Sequence, residues 1–400
     1  MPSRLHATGA LTLPTMPALL PVAQAHSRLL APAPPAATQT VPLREATGRW
    51  AAEPVRARRT QPELPLSAMD GYAIRHADLP GPWTVIGESA AGRPFTGSIA
   101  AGQATRIFTG AALPPGADCV LVREEARRDG AQLILDGEGP GHVGRNVRQA
   151  GLDFNEGDTL IAPGERITPA RLAIAATAGH ATLPVRPRIR VAIAATGDEL
   201  RAPGEPLAPG QLPESNGVML AAQLADLPVD IADLGILPDR QDALEAAFVA
   251  VEADILVTTG GASVGDHDLV RPALEAAGAV IDFWRIALRP GKPMMAGRLH
   301  DTVSAFVTTI LFLKPLVAHL SGAADPLPRT ARATLAEPLP ANGPRTDYMR
   351  AAHRDGGVVA AAIQDSAMLH PLARAECLII REPYAPAAAI GDSVEILQIA

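Results

Sequence analysis

The chain has 400 residues, of which 47% are hydrophobic, 19% charged and 3% aromatic. That is a globular balance, and the length exceeds the ~250–300 residues at which a single core stops growing, so several domains are expected. A formal charge of −7, with no arginine-and-aromatic strip, argues against a nucleic-acid binder working by bulk electrostatics.

Cys119 and Cys377 stand alone, without CxxC or Cys/His spacing, so neither a zinc site nor a disulfide framework is indicated and a cytoplasmic setting is expected. No apolar run reaches the ~18 residues of a membrane span. The proline-interrupted opening "MPSRLHATGALTLPTMPALLPVAQ" has no well-formed signal peptide. Met16, just before the first helical pattern, is an alternative start.

In chain order, 16–60 reads as a helix, "PALLPVAQAHSRLLA", followed by an extended proline-punctuated stretch. Residues 61–160 carry short apolar runs separated by Gly, Pro and Asp: "GPWTVIGES", "QATRIFTG", "DCVLVREEA" and "AQLILDGE". This segment is expected to be mostly β. "ITPARLAIAATAGHATLPV" predicts a helix with Thr168 as N-cap and Pro169 at its first position; residues 161–187 are grouped with 16–60.

From 188 to 325 strand and helix alternate. "RIRVAIAATGDEL", "VDIADLGILPD", "DILVTTGG", "AVIDFWRIALRPG" and "KPMMAGRL" read as strands, and "NGVMLAAQLADL", "RQDALEAAFVAVEA", "DLVRPALEAAG" and "VSAFVTTILFLKPLVAHLSG" as helices. This predicts a parallel sheet covered on both faces. Residues 326–400 return to β-type runs. The fold class is therefore multidomain α/β plus β.

Ligands of such sheets bind beyond the carboxyl ends of the strands. Two of those ends are rich in polar groups. "AATGDEL" puts Thr196, Gly197, Asp198 and Glu199 past one strand, and "VTTGGASVGDHD" puts Thr259, Gly260, Gly261, Ser263 and Gly265 past another. Glycines let backbone N–H groups converge, hydroxyls add donors, and the next helix adds its positive end, which together make an anion cradle. Asp266 and Asp268 would repel a bare phosphate, so a divalent cation between carboxylate and phosphate reconciles the two. Helix capping by these acids is the alternative.

"FWRIALRPGKP" adds Arg285, Arg289 and Lys292 near a further strand end, as cationic partners for an anion or as a solvated basic edge. Gly261-Ala262-Ser263-Val264-Gly265 also fits the G-x-S-x-G elbow of a serine hydrolase. The polar stretch from Thr258 to His267 is too slack for that tight turn, however, and no separate base and acid present themselves. In the β segment, "LPLSAMDGYAI", "FTGAALPPGAD" and "GRNVRQAGLDFNEGD" are polar clusters in Gly/Pro-marked loops, which composition alone assigns to nothing beyond turns.

Together, "SAMDGYAI", "IFTGAALPPGADCVLVREE", "GRNVRQAGLDF", "ATGDEL", "ESNG", "TTGGASVGDHD" and "RPGKP" closely resemble the molybdopterin molybdenumtransferase family, which includes the gephyrin E-domain. They occur in family order across most of 16–400. The resemblance implies a linker domain (16–60 and 161–187), an inserted β domain (61–160), a molybdopterin-binding α/β domain (188–325) and a C-terminal β-barrel (326–400). It implies a homodimer that turns adenylyl-molybdopterin and molybdate into molybdenum cofactor and AMP with Mg2+. Partners implied are the molybdopterin adenylyltransferase and molybdoenzyme clients, with neither nucleic acid nor membrane.

Carried over residue by residue, the resemblance makes Asp70, Thr109 and Asp153 groups that reach the partner's cleft. Glu199, Asp239 and Asp268 line the cleft of the α/β domain, Asp268 and Glu199 being metal candidates. Arg285 and Arg289 match cationic family positions. Thr196, Gly197, Asn216, Thr259, Gly260, Gly261, Ser263, Gly265 and Lys292 make the substrate pocket. One departure stands out: the family has a further strand and a Leu-Pro-Gly-Asn-Pro loop after "PGKPMMAGRL", whereas here Leu299 is followed only by His300-Asp301-Thr302 before Val303. The expectation is that "PMMAGRL" takes the vacated place in the sheet and that turnover is impaired. A non-catalytic carrier of the pterin nucleotide is the alternative; a stand-alone adenylyltransferase or pyrophosphatase fits less well, because neither needs Asp70 and Asp153.

Overall fold

The computed structural model describes residues 19–31, 33–260, 269–290, 293–298, 306–354, 356–365 and 368–399, with backbone alone for 281–285 and 293–298. The chain forms two compact units, Thr38–Val185 and the combination of Met1–Ala37 with Arg186–Ala400. Among the described residues no helix is long and apolar enough to cross a membrane.

In the 38–185 unit, six strands form one sheet: β1 (Gly71–Ile74), β2 (Trp83–Ser89), β3 (Gln103–Ile107), β4 (Cys119–Val122), β5 (Ala126–Asp129) and β6 (Gln132–Leu135), in the order β4-β1-β3-β2-β6-β5. The two-residue period of a strand sends Tyr72, Ile74, Cys119 and Leu121 to one core and Ala73 and Val120 to another. Both faces of β1 are therefore buried, which is why its polar Asp70 is pushed to the strand's edge. Helix α1 (Pro169–Thr177) starts as expected: the Thr168 hydroxyl accepts the Arg171 N–H at 3.3 Å and Pro169 occupies the first turn.

In the other unit, β7 (Ile189–Thr196), β8 (Val229–Leu237) and β9 (Ile255–Thr259) form a parallel sheet in the order β8-β7-β9. Alternation again divides the side chains. Val191, Ile193, Ile255 and Val257 join a core with Leu220 and Leu224 of helix α2 (Asn216–Leu224). Ala192, Ala194 and Leu256 join a second core with α3 (Gln241–Val249) and α4 (Val270–Ala276). The sheet is covered on both faces, as the apolar runs predict.

Two expectations are corrected here. "AVIDFWRIALRPG" is not one strand: β10 (Val280–Arg285) ends before β11 (Leu288–Arg289), which pairs in parallel with Thr346 and Asp347. Nor does the following strand fill a place in the parallel sheet. β12 (Pro293–Arg298) pairs antiparallel with β10 as a separate two-stranded sheet. Only seven residues separate β10 from β12, and antiparallel closure over so short a separation costs little chain entropy.

The strands after residue 330, β13 (Ala331–Thr334), β14 (Thr346–Arg354), β15 (Gly357–Ala360), β16 (Cys377–Arg381) and β17 (Ser393–Gln398), give the path β11-β14-β16-β17-β13, with β15 on β14. The sheet curls into a half-barrel, and one isolated bridge, Leu335 to Val358, brings the end of β13 against β15.

Candidate functional site

The carboxyl ends of β7, β8 and β9 come level: Ala195 pairs with Thr259 and Thr196 with Leu237. Just beyond, the chains almost touch. A Cβ on Gly260 would sit 2.4 Å from the Thr196 carbonyl oxygen and 2.6 Å from its Oγ1, and Gly260 has φ +112. Only glycine satisfies both the space and the dihedral. Thr259 is 3% exposed, and its Oγ1 has no hydrogen-bond partner among the described residues. A buried hydroxyl without a partner is costly unless something else meets it.

Acids crowd the same mouth. The Asp239 N–H donates to Asp198 Oδ1 at 3.2 Å. Partial burial, followed by the negative charges of Asp198 and Glu199, pushes the Asp239 carboxyl above its ordinary pKa. Asn216, exposed, opens α2, while the Glu214 carboxylate, 9% exposed, accepts the Gly217 N–H at 2.7 Å and caps that helix. Sequence reading gave neither Asp198 nor Glu214 a role of its own. Asp198 lay in the quoted "AATGDEL" and Glu214 in the quoted "ESNG".

The 38–185 unit gathers its three polar loops at one corner. The Thr109 N–H and Oγ1 both donate to Asp70 Oδ1, at 2.8 and 2.7 Å. Ser67, fully buried, donates through Oγ to the Met69 carbonyl at 2.6 Å, and its backbone bonds to Gly110 and Ala111. Asn146, at φ 60, accepts the Ala68 N–H at its carbonyl and donates to the Val120 carbonyl. Gly71 admits no side chain, since a Cβ would lie 2.0 Å from the Leu121 carbonyl oxygen. Thr109's two donors, and then the charges of Arg106 and Arg123, hold the exposed Asp70 carboxyl below its usual pKa. Asp153, exposed, is held by its own N–H on the Gln61 carbonyl at 3.0 Å.

Family models cover the chain in three blocks. "MoeA N-terminal region (domain I and II)" matches 20–179, "Probable molybdopterin binding domain" matches 192–315, and "MoeA C-terminal region (domain IV)" matches 332–399. A molybdopterin molybdenumtransferase of Haemophilus influenzae is 37% identical over 318 residues, 76% of this chain and 78% of that one. The chain belongs to the molybdopterin molybdenumtransferase family. The Bacillus subtilis member is 31% identical over 389 residues, 90% of each chain. The crystal structure of a molybdopterin biosynthesis moeA protein from Pyrococcus horikoshii OT3 superposes with TM-score 0.81 at 26% identity, covering 96% of this chain and 100% of that one. The chain is thus a transferase of molybdenum cofactor biosynthesis, and its fold is that of the Pyrococcus moeA protein.

For this family member the cationic stretch divides. Arg289 forms an ion pair with Asp347, whose side chain is 5% exposed. The pairing raises the Arg289 pKa further and commits that guanidinium to the curled sheet. Arg285 pairs through its backbone with Pro293. Gly261, Ser263, Gly265, Asp268 and Lys292 lie outside the described residues. Among the described residues no three His, Cys, Asp or Glu side chains are arranged to hold a metal ion, and both cysteines are buried and free.

Proposed function

We propose that this transferase is a molybdenum insertase: adenylyl-molybdopterin and molybdate enter, and molybdenum cofactor and AMP leave. The observation that carries the reading is the mouth at the ends of β7 and β9, where Thr196 and Gly260 meet beside the buried Thr259 hydroxyl, which has no partner among the described residues. Thr196, Gly197, Thr259 and Gly260, with Asn216 and the neighbouring Gly261, Ser263, Gly265 and Lys292, form the pocket for the pterin nucleotide's phosphates. Such a cradle offers backbone donors that need no reorganisation as charge builds on the leaving phosphate.

Glu199 offers carboxylate oxygens, the donor chemistry that suits a hard divalent cation, and Asp198 and Asp239 add negative charge at the same mouth. Burial, and after it the negative charges of Asp198 and Glu199, raises the Asp239 carboxyl, and a bound cation would offset that charge. Asp268 supplies a further ligand. Bound Mg2+ would offset charge on the phosphoanhydride as it breaks. Arg285 and Arg289 add positive charge, the latter while remaining tied to Asp347. Asp70, Thr109 and Asp153 complete the cleft of a second subunit in a cytoplasmic homodimer, which receives its substrate from the molybdopterin adenylyltransferase and serves molybdoenzyme clients.

A second reading is a carrier that binds the nucleotide without turnover. It is favoured by the separate β10–β12 pair together with the absent strand and Leu-Pro-Gly-Asn-Pro loop after Leu299. AMP release from adenylyl-molybdopterin with Mg2+, with and without molybdate, decides between them. Molybdate-dependent release supports the insertase, and tight binding without release supports the carrier. Mixing Asp70→Asn with Glu199→Gln subunits tests the shared cleft: recovered release is expected, and two dead variants that stay dead when mixed would sink the dimer arrangement.

A further inference from the structure

Arg106 had no place in the sequence motifs, yet it lies at the centre of the Asp70–Thr109 corner. β1 and β3 run antiparallel, with Gly71 opposite Ile107 and Tyr72 opposite Arg106. The Arg106 side chain turns back across that terminal pair. Its Nη1 donates to the Gly71 carbonyl at 2.5 Å and to the Ile107 carbonyl at 3.3 Å. The guanidinium lies over the Phe108 ring at 4.7 Å and the Tyr72 ring at 5.2 Å. Asp70 immediately precedes Gly71, and Thr109 follows Ile107 by two residues, so a single cation ties together the two points from which these side chains are delivered.

We propose that Arg106 is a positioning residue for the Asp70–Thr109 pair, clamping the ends of the two strands so that both Thr109 donors stay on one carboxylate oxygen during turnover. This rests on the proposed role of that pair in the reaction. A planar guanidinium is needed, because it can bond two carbonyls while presenting a face to each of two rings; a lysine ammonium cannot do both. Charge adds to geometry. Arg106 and Arg123 are the cations that face Asp70, and the Arg123 N–H also donates to the Asp70 carbonyl at 3.1 Å.

The test uses the full-length protein with Arg106→Gln and Arg106→Lys, read by the Thr109 amide shift and the Asp70 carboxyl titration in NMR spectra, alongside AMP release. In Arg106→Gln the Thr109 amide is expected to lose its hydrogen-bonded shift and Asp70 to titrate at higher pH. kcat should fall between about tenfold and a hundredfold with KM little changed, as for a small misplacement of a reacting group. Arg106→Lys keeps the charge, so Asp70 titrates near its parent position while the Thr109 amide and kcat stay displaced.

An unmoved Thr109 amide and Asp70 titration in Arg106→Gln would overturn the clamp. If that variant does not fold, parent-like amide shift and kcat in Arg106→Lys would overturn it instead. Full AMP release by Asp70→Asn, with the amide still displaced in Arg106→Gln, would remove the catalytic role of the pair and leave the clamp standing.

Discussion

The Asp70–Thr109 corner and the strand-end mouth are both polar, but they meet their hydrogen-bond demands in opposite ways. At the corner, Asp70 lies in solvent and its carboxylate already holds two donors. At the mouth, Thr259 is buried with a hydroxyl that has no partner among the described residues, and burial together with the charges of Asp198 and Glu199 raises the Asp239 carboxyl. One region is preorganised and satisfied; the other is held by its backbone in a state that a phosphate and a cation would relieve. Rigid presentation and unmet demand are two ways of building a site, and here they fall in different units of the chain.

Substitutions should separate them. The largest effect is expected from Gly260→Ala, which combines a backbone clash with a positive φ and costs roughly 2–4 kcal/mol. Gly71→Ala, which meets the Leu121 carbonyl but has no positive φ, costs less, roughly 1–3 kcal/mol. Urea melts of the pair check the ranking, and equal losses would break the claim that positive φ adds to the cost at Gly260. Next comes Arg289→Ala, which leaves Asp347 buried without its cation. Because the Arg289 side chain is 52% exposed, the loss is discounted to about 1–2 kcal/mol. A neutral melt would mean that the guanidinium is free for other work.

Thr259→Val sharpens the contrast further. Removing an unpartnered buried hydroxyl should leave the melt unchanged or improve it by up to about 1 kcal/mol, while binding of the pterin nucleotide weakens roughly tenfold, as one lost hydrogen bond implies. A weaker melt with intact binding would reverse the reading.

Thr109→Val has the smallest effect on folding and shows in pH dependence. Asp70's folded pKa is lowered, so its contribution to stability is full above the unfolded carboxylate value and is lost as pH falls through the lowered one. Without the Thr109 hydroxyl that contribution is smaller and its loss is complete at higher pH, and the acid limb of the AMP-release profile moves to higher pH as well. An acid limb that does not move would disconnect the pair from turnover.

Much of this was legible because it is local. The period-two runs placed the strands, and the Thr168-Pro169 start placed a helix, since strand alternation and capping depend on a few neighbouring residues. The glycine-and-hydroxyl strand ends and the three polar loops stood out for the same reason. The resemblance then named residues within them, and those loops do converge at Asp70 and Thr109.

Contacts between distant residues were decided only by the tertiary structure. Asp239 meets Asp198 across 41 positions and Arg289 meets Asp347 across 58. Neither partner has a local preference for the other, so no window of sequence contains the pair. The Arg106 clamp is a product of β1–β3 register, in which a one-residue slip would send the guanidinium to the other face. The division of the 280–298 stretch between a hairpin and the curled sheet likewise follows from which partners those strands find in space. By itself the sequence determined the elements, their apolar faces and the residue types at each strand end. The structure determined which charges meet, because burial and pairing energies exist only once separate stretches of chain share one low-dielectric neighbourhood.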